Sequence, residues 1–155
     1  MKPRSGFTLI EMTIVLAICG MIVILTPNLM QWMQLQGVGH AVDQLRADLL
    51  LARTMAINHK KTCTIRFNYP GPGQYTNLLT NRMVNLSQYR GGVHFMPKGP
   101  DNDAMSEQIN FTRRGMAAPA GDVYLSDRQN QRMYRLRVLV PGGISIFRWG
   151  EKQWQ

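Results

Sequence analysis

A lone carboxylate, Glu11, stands at the mouth of a segment otherwise suited to an apolar medium. Met12 to Leu25 is 14 residues without a charge, and Phe7, Thr8, Leu9 and Ile10 extend the run across Glu11. A carboxylate costs ~2.5–3.5 kcal/mol at the centre of a bilayer helix and less near the end, where Glu11 lies. Such a group persists where a cation meets it, because in a low dielectric an opposite charge at contact distance favours docking in one register. The second group of reactive character is cationic. Between Phe111 and Gln155, Arg113, Arg114, Arg128, Arg132, Arg135, Arg137, Arg148 and Lys152 stand against Asp122, Asp127 and Glu151, eight against three for a net of +5. Guanidinium forks onto phosphate oxygens and stacks on bases. Arg113, Arg114, Arg135, Arg137, Arg148 and Lys152 are therefore the candidate DNA-binding set.

Catalysis finds no footing. Ser106 and Cys63 have no nucleophile motif around them, and His40, His59 and His94 are scattered without ligand spacing. No enzyme, cofactor or metal is expected. Gly71 and Gly73 lie in "YPGPGQY" with no helical pattern behind them, so they read as a hairpin turn and not a phosphate loop. Cys19 falls in the apolar run and Cys63 far beyond it, which predicts two unpaired thiols. A formal charge of +9 over 155 residues suits a polyanionic partner or an anionic membrane surface, and equally a merely soluble chain.

Two kinds of element must position these groups. A helix over Phe7–Thr26 has 20 residues and, at ~1.5 Å each, crosses a ~30 Å hydrocarbon core. Lys2 and Arg4 would suit a secretory signal, but "TPNLMQW" after Leu25 lacks a small-x-small cleavage site. Pro27 removes one backbone hydrogen bond and favours a kink without ending the helix. Beyond it Leu29, Met30, Met33, Gly37, Ala41, Leu45, Leu49, Ala52 and Ala56 form a helical stripe, with Gln34, Gln36, Asp43, Gln44, Arg46, Arg53 and Asn58 available to the other side. The helix is expected to stop near Asn58–Lys61. From Thr62 the period is two: "TCTIRFN", "YTNLLT", "RMVNLSQY", "GGVHF", "QINFTRRG" and "GDVYLSD" read as strands, "MPKGPDNDAMSEQ" as a polar loop, and "RMYRLRVLVPGGISIFRW" as a last hairpin. Alternation puts Tyr134, Leu136, Val138 and Val140 on one face and Arg135 and Arg137 on the other. Two registers are open for that hairpin. A two-residue Gly142-Gly143 turn sets Arg148 opposite Arg137, a cationic patch. A turn that also takes in Pro141 sets Phe147 beside Arg137 and Trp149 beside Arg135, a stacking platform.

"SGFTLIEM" resembles the prepilin peptidase site of type IV pilins and type II secretion pseudopilins. The resemblance implies cleavage after Gly6, N-methylation of Phe7, and retention of Glu11 to fix filament register against the free amino terminus of a neighbouring subunit. Unlike an ordinary signal peptide, the apolar segment then stays in the mature protein. "INFTRRGMAAPAGDVYLSD", followed by a strand pair around a glycine turn, is similar to the C-terminal half of the GspH/FimT group, which comprises H-type pseudopilins and FimT- or FimU-like minor pilins. This implies an α+β, type IV pilin-like fold: a long N-terminal helix, its first half transmembrane, packed on small antiparallel β-sheets. The expected divisions are a leader over 1–6, a transmembrane and filament-core helix over 7–27, its amphipathic continuation over 28–60, and an antiparallel β domain over 61–155. The implied partners are prepilin peptidase, other pilins or pseudopilins in a filament, and the bacterial inner membrane, crossed once with the globular domain in the periplasm. Three roles stay open: a pseudopilus subunit serving protein secretion, a minor pilin priming type IV pili, and a DNA-binding pilin acting in uptake. The last group carries a basic Gly-Arg-x-Arg motif, whereas here Gly143, Ile144 and Ser145 follow Gly142.

Overall fold

The computed structural model describes residues 8–150 and 153–155, with the backbone alone for residues 25–35. The chain divides into two units, Met1–Gln34 and Leu35–Gln155. One helix, α1 (Leu9–Asn58), contributes to both and continues through Pro27. It begins at Leu9, with Phe7 outside the described residues. Thr8 caps it: its hydroxyl and its carbonyl both accept from the Glu11 amide, at 3.3 and 3.1 Å. Thr-x-x-Glu is a recognised start signal for a helix, so Glu11 stands in a capping position as well as at the start of the apolar run. At the other end, Lys60 adopts a left-handed φ of 52°, which stops the helix within the expected window.

In the second unit the expected stripe is buried. Ala41, Leu45, Leu49, Ala52 and Ala56 are fully enclosed, joined by Val38 and Val42, while Leu29, Met30 and Met33 lie where side chains are not described. This face meets residues of two antiparallel sheets in one apolar cluster that includes Ile65, Phe67, Ile109, Phe111, Val123 and Leu136. Full burial of a leucine such as Leu45 stabilises the fold by roughly 1.5–3 kcal/mol.

The first sheet has the order β3-β2-β1-β5, from β1 (Cys63–Phe67), β2 (Gln74–Asn77), β3 (Arg82–Asn85) and β5 (Gln108–Phe111). The expected strands "YTNLLT" and "RMVNLSQY" are cut short by asparagines. The Asn77 side chain accepts from the amides of Leu79 and Thr80, turning the chain, and Asn85 caps a 3-10 turn over Leu86–Gln88. Asn77 also accepts from the Cys63 thiol at 3.3 Å; burial pushes that thiol's pKa up. Cys63 and Cys19 are both free, as expected.

One buried carboxylate ties helix to sheet. Asp48 accepts from the Tyr75 hydroxyl at 2.6 Å and pairs with Arg82 at 3.2 Å. Burial first, and then the bond to Asp48, push the Tyr75 phenol well above its ordinary value. Since Arg82 is half exposed, its pairing is screened and the hydrogen bond from Tyr75 carries most of the worth. Asp48→Asn keeps an acceptor but loses the charge-assisted bond, so a stability loss of about 1 kcal/mol is expected by urea denaturation.

The second sheet has the order β4-β6-β7-β8-β9, from β4 (His94–Phe95), β6 (Gly121–Ser126), β7 (Met133–Val138), β8 (Ile144–Gly150) and β9 (Gln153–Trp154). Neither expected hairpin register occurs. Val138 pairs with Ile144, so the connection is the five residues 139–143; Arg135 lies opposite Phe147 and Arg148 opposite Tyr134. The connection is closed by bonds from the Leu139 amide to the Gly143 carbonyl and from the Gly142 amide to the Leu139 carbonyl. Gly142 sits at φ +82°, a conformation only glycine takes cheaply. A wider loop forms because Val140 is drawn out of the strand: its carbonyl accepts from the Ala117 amide at 2.9 Å.

Candidate functional site

The N-terminal candidate residues divide at the edge of the described chain. Gly6 and Phe7, the expected cleavage and methylation positions, lie outside it. Within it, every side chain from Thr8 to Ile24 is exposed. Leu9 is 83% exposed and Ile24 72%, with apolar side chains on all sides of the helix and Glu11 alone carrying charge. An apolar surface of that extent marks a site of contact with lipid or with another chain. Among the described residues no helix is long and apolar enough to cross a membrane; the expected span of 7–27 includes positions whose side chains are not described.

The arginines fare differently from expectation. Alternation holds in β7, where Leu136 and Val138 face the core and Arg135 and Arg137 the opposite side. That side is not an open cationic face. Arg137 makes a forked pair with Asp122, Nε to Oδ1 at 2.9 Å and Nη2 to Oδ2 at 2.7 Å. The hydrogen bonding raises its pKa further. Arg135 is 8% exposed. Its Nη1 donates to Asp101 at 3.1 Å, and its guanidinium lies 4.6 Å from the Trp154 ring centroid and 5.3 Å from that of Phe147.

The loop expected to be merely polar supplies the cover. Gly99 lies so close to Tyr124 that a Cβ there would come within 2.6 Å of its ring. Asp101, from the same loop, accepts from both Arg135 and the Trp154 indole, the latter at 2.9 Å. Desolvation pushes the Asp101 pKa up, but the indole bond, backbone donors and the charge of Arg135 outweigh it and hold the carboxyl below its ordinary value. Trp154 packs against Tyr124 and Trp149, with centroids 5.8 and 5.0 Å apart. The result is a second, outer layer of packing whose charges are internally matched.

Two of the six candidate DNA-binding residues, Arg135 and Arg137, are thus taken up by carboxylates. Arg148 is exposed but shares a face with Tyr134, away from Arg135 and Arg137. Lys152 is outside the described residues. Arg113 and Arg114 are exposed in the turn after β5, at a separate place. Among the described residues, the candidate arginines do not gather on one face. Asp122 was legible as the cross-strand neighbour of Arg137 had β6 and β7 been paired as a hairpin; Asp101 carries no sequence signal, since only the fold brings it near.

The sequence pattern of the family described as Type II transport protein GspH matches residues 41–142. The chain belongs to the GspH family. Ahead of the GspH match, a prokaryotic N-terminal methylation motif matches residues 1–26. Two crystal forms of FimU, a type IV minor pilin of Pseudomonas aeruginosa, share the fold of this GspH-family chain. They give TM-scores of 0.57 and 0.53 at 14% and 15% identity, covering 80% and 76% of this chain and 96% of FimU in each case. No curated protein matches the sequence. Members of the GspH/FimT-like group are pilin-type structural subunits, and the long helix with antiparallel sheets is the type IV pilin fold.

Proposed function

We propose that this chain is a minor pilin or pseudopilin, cut after Gly6 by prepilin peptidase, methylated at Phe7, and held in the inner membrane by residues 7–27 with its globular unit in the periplasm. From there it is incorporated into, or primes, a filament, either a type II secretion pseudopilus or a type IV pilus. Glu11 pairs with the free amino terminus of a neighbouring subunit and so fixes register. The single observation that carries this reading is the pairing of a methylation motif over 1–26 with an apolar helical segment exposed on every side and bearing one carboxylate. The apolar side chains of this segment are exposed among the described residues, and lipid followed by a bundle of like helices would cover them.

N-terminal sequencing and intact mass of the protein purified from membranes test it. The expected product begins with methylated Phe7 and retains the apolar segment. A product beginning at Met1, or one cut beyond Leu25, would overturn the reading. DNA uptake gains no support from the arginine geometry, because Arg135 and Arg137 already face carboxylates.

A further inference from the structure

At one end of the second unit, three segments are bolted together. Arg53 reaches from α1 to two loops, its Nε donating to the Gly115 carbonyl at 3.0 Å and its Nη2 to the Pro141 carbonyl at 3.2 Å. The loops also join each other through the Ala117 amide and Val140 carbonyl, at 2.9 Å. Gly142 and Gly115 touch so closely that a Cβ on Gly142 would collide with the Gly115 carbonyl, and one on Gly115 would come within 2.7 Å of Ile57. Both glycines hold positive φ. The backbone here is braced from three sides.

This braced frame holds apolar side chains out in water. Val140 is 60% exposed, and Leu139, Met116 and Ile57 are exposed as well. The pinned loop backbone fixes where Leu139 and Val140 leave the chain. Around them stand four exposed cations. Arg113 and Arg114 precede Gly115 directly. Lys60 and Lys61 arrive at the same end, since Cys63 pairs with Phe111 in antiparallel register. Among the described residues no carboxylate pairs with any of the four.

We infer that this end of the globular unit is a docking surface for a different protein that presents acidic side chains around an apolar patch. An apolar centre within a charged rim is the anatomy of a protein–protein interface, and rim charges steer the encounter. A nucleic-acid backbone would use the cations and leave Val140, Leu139 and Met116 exposed, so the observations favour protein. A second copy is disfavoured, because a chain of formal charge +9 meets its own kind with like charge. The surface lies on the unit opposite in character to the N-terminal segment, and its existence does not depend on the processing proposed above.

The test uses the full chain in non-ionic detergent micelles and fluorescence anisotropy with three labelled probes. These are a synthetic peptide alternating glutamate and leucine, a polyglutamate of equal charge, and a DNA duplex. Binding is compared with the same probes on R113E/R114E and on Val140→Asp in identical micelles, which cancels partition into detergent. Thermal melting checks that both variants keep the fold, as substitutions of exposed, unpaired side chains should. The expected result is that the mixed peptide binds wild type roughly tenfold more tightly than either variant, and roughly tenfold more tightly than polyglutamate. Equal binding of the mixed peptide to wild type and both variants overturns the proposal. So does polyglutamate or DNA binding as tightly as the mixed peptide, with a steep salt dependence, because that would mark a simple polyanion site.

Discussion

Glu11→Leu is expected to leave membrane insertion intact and to abolish incorporation into filaments. The substitution removes an insertion cost of up to ~2.5–3.5 kcal/mol, so the variant should partition into membranes at least as well as wild type. What it loses is the carboxylate of the proposed pair with a neighbour's amino terminus. Two unit charges at 4 Å attract by about 4 kcal/mol at an effective dielectric of about 20. That offsets the cost of placing the carboxylate in lipid and rewards one axial register over all others. The helix start itself is not at stake, because Thr8 accepts from the backbone amide of residue 11, which leucine supplies equally. Fractionation of membranes against sheared filaments, with immunodetection, reads both quantities at once. Normal incorporation of the leucine variant would end the proposed role of Glu11, and failure to insert would end the account of its cost.

The second large effect is expected where local preference and packing disagree. Gly37 lies inside α1, where alanine gains about 1 kcal/mol over glycine in helix propensity. On propensity alone, Gly37→Ala would stabilise the protein. Yet a Cβ there would collide with the carbonyl oxygen of Arg90, a backbone atom that no rotamer change can move. Overpacking of this kind costs ~1–3 kcal/mol and occasionally more when the obstacle is rigid. A rigid backbone obstacle puts the cost at the upper end of that range, so against a gain of about 1 kcal/mol a net loss of about 2 kcal/mol is expected, or roughly 6–12 °C in melting temperature for a unit of this size. Calorimetry or thermal circular dichroism decides it. A rise in melting temperature would mean that the segment around Arg90 yields freely.

Gly37 also shows what the sequence could and could not tell. Its place in the stripe with Ala41, Leu45 and Leu49 was readable, because helical spacing reports which side chains share a face. That the position needs glycine was not, because the Arg90 carbonyl arrives from a distant loop. The same division runs through the second sheet. Alternation correctly set Arg135 and Arg137 against Leu136 and Val138, a property of the strand alone. The hairpin register was misjudged because Gly142-Gly143 looks like a two-residue turn, whereas Ala117 captures the Val140 carbonyl and opens the loop. The cationic reading of β7 failed for a related reason. Counting charges along the chain leaves out Asp101, which lies 34 residues from Arg135 in sequence and 3.1 Å from it in space. At the helix start the missed signal was local: Thr8 and Glu11 have capping spacing, which the apolar run overshadowed.

One oxygen of Asp101 receives both the Arg135 guanidinium and the Trp154 indole, 53 residues further along than the aspartate in the latter case. During synthesis the loop bearing Asp101 leaves the ribosome long before either donor. Its carboxylate then waits in solvent until β7 has formed, and acquires its last ligand only when Trp154 emerges. The outside of the second sheet is therefore fastened only once Trp154 has been made, and a chain cut ahead of Trp154 would keep the inner core residues and lose the indole that fastens the outer layer.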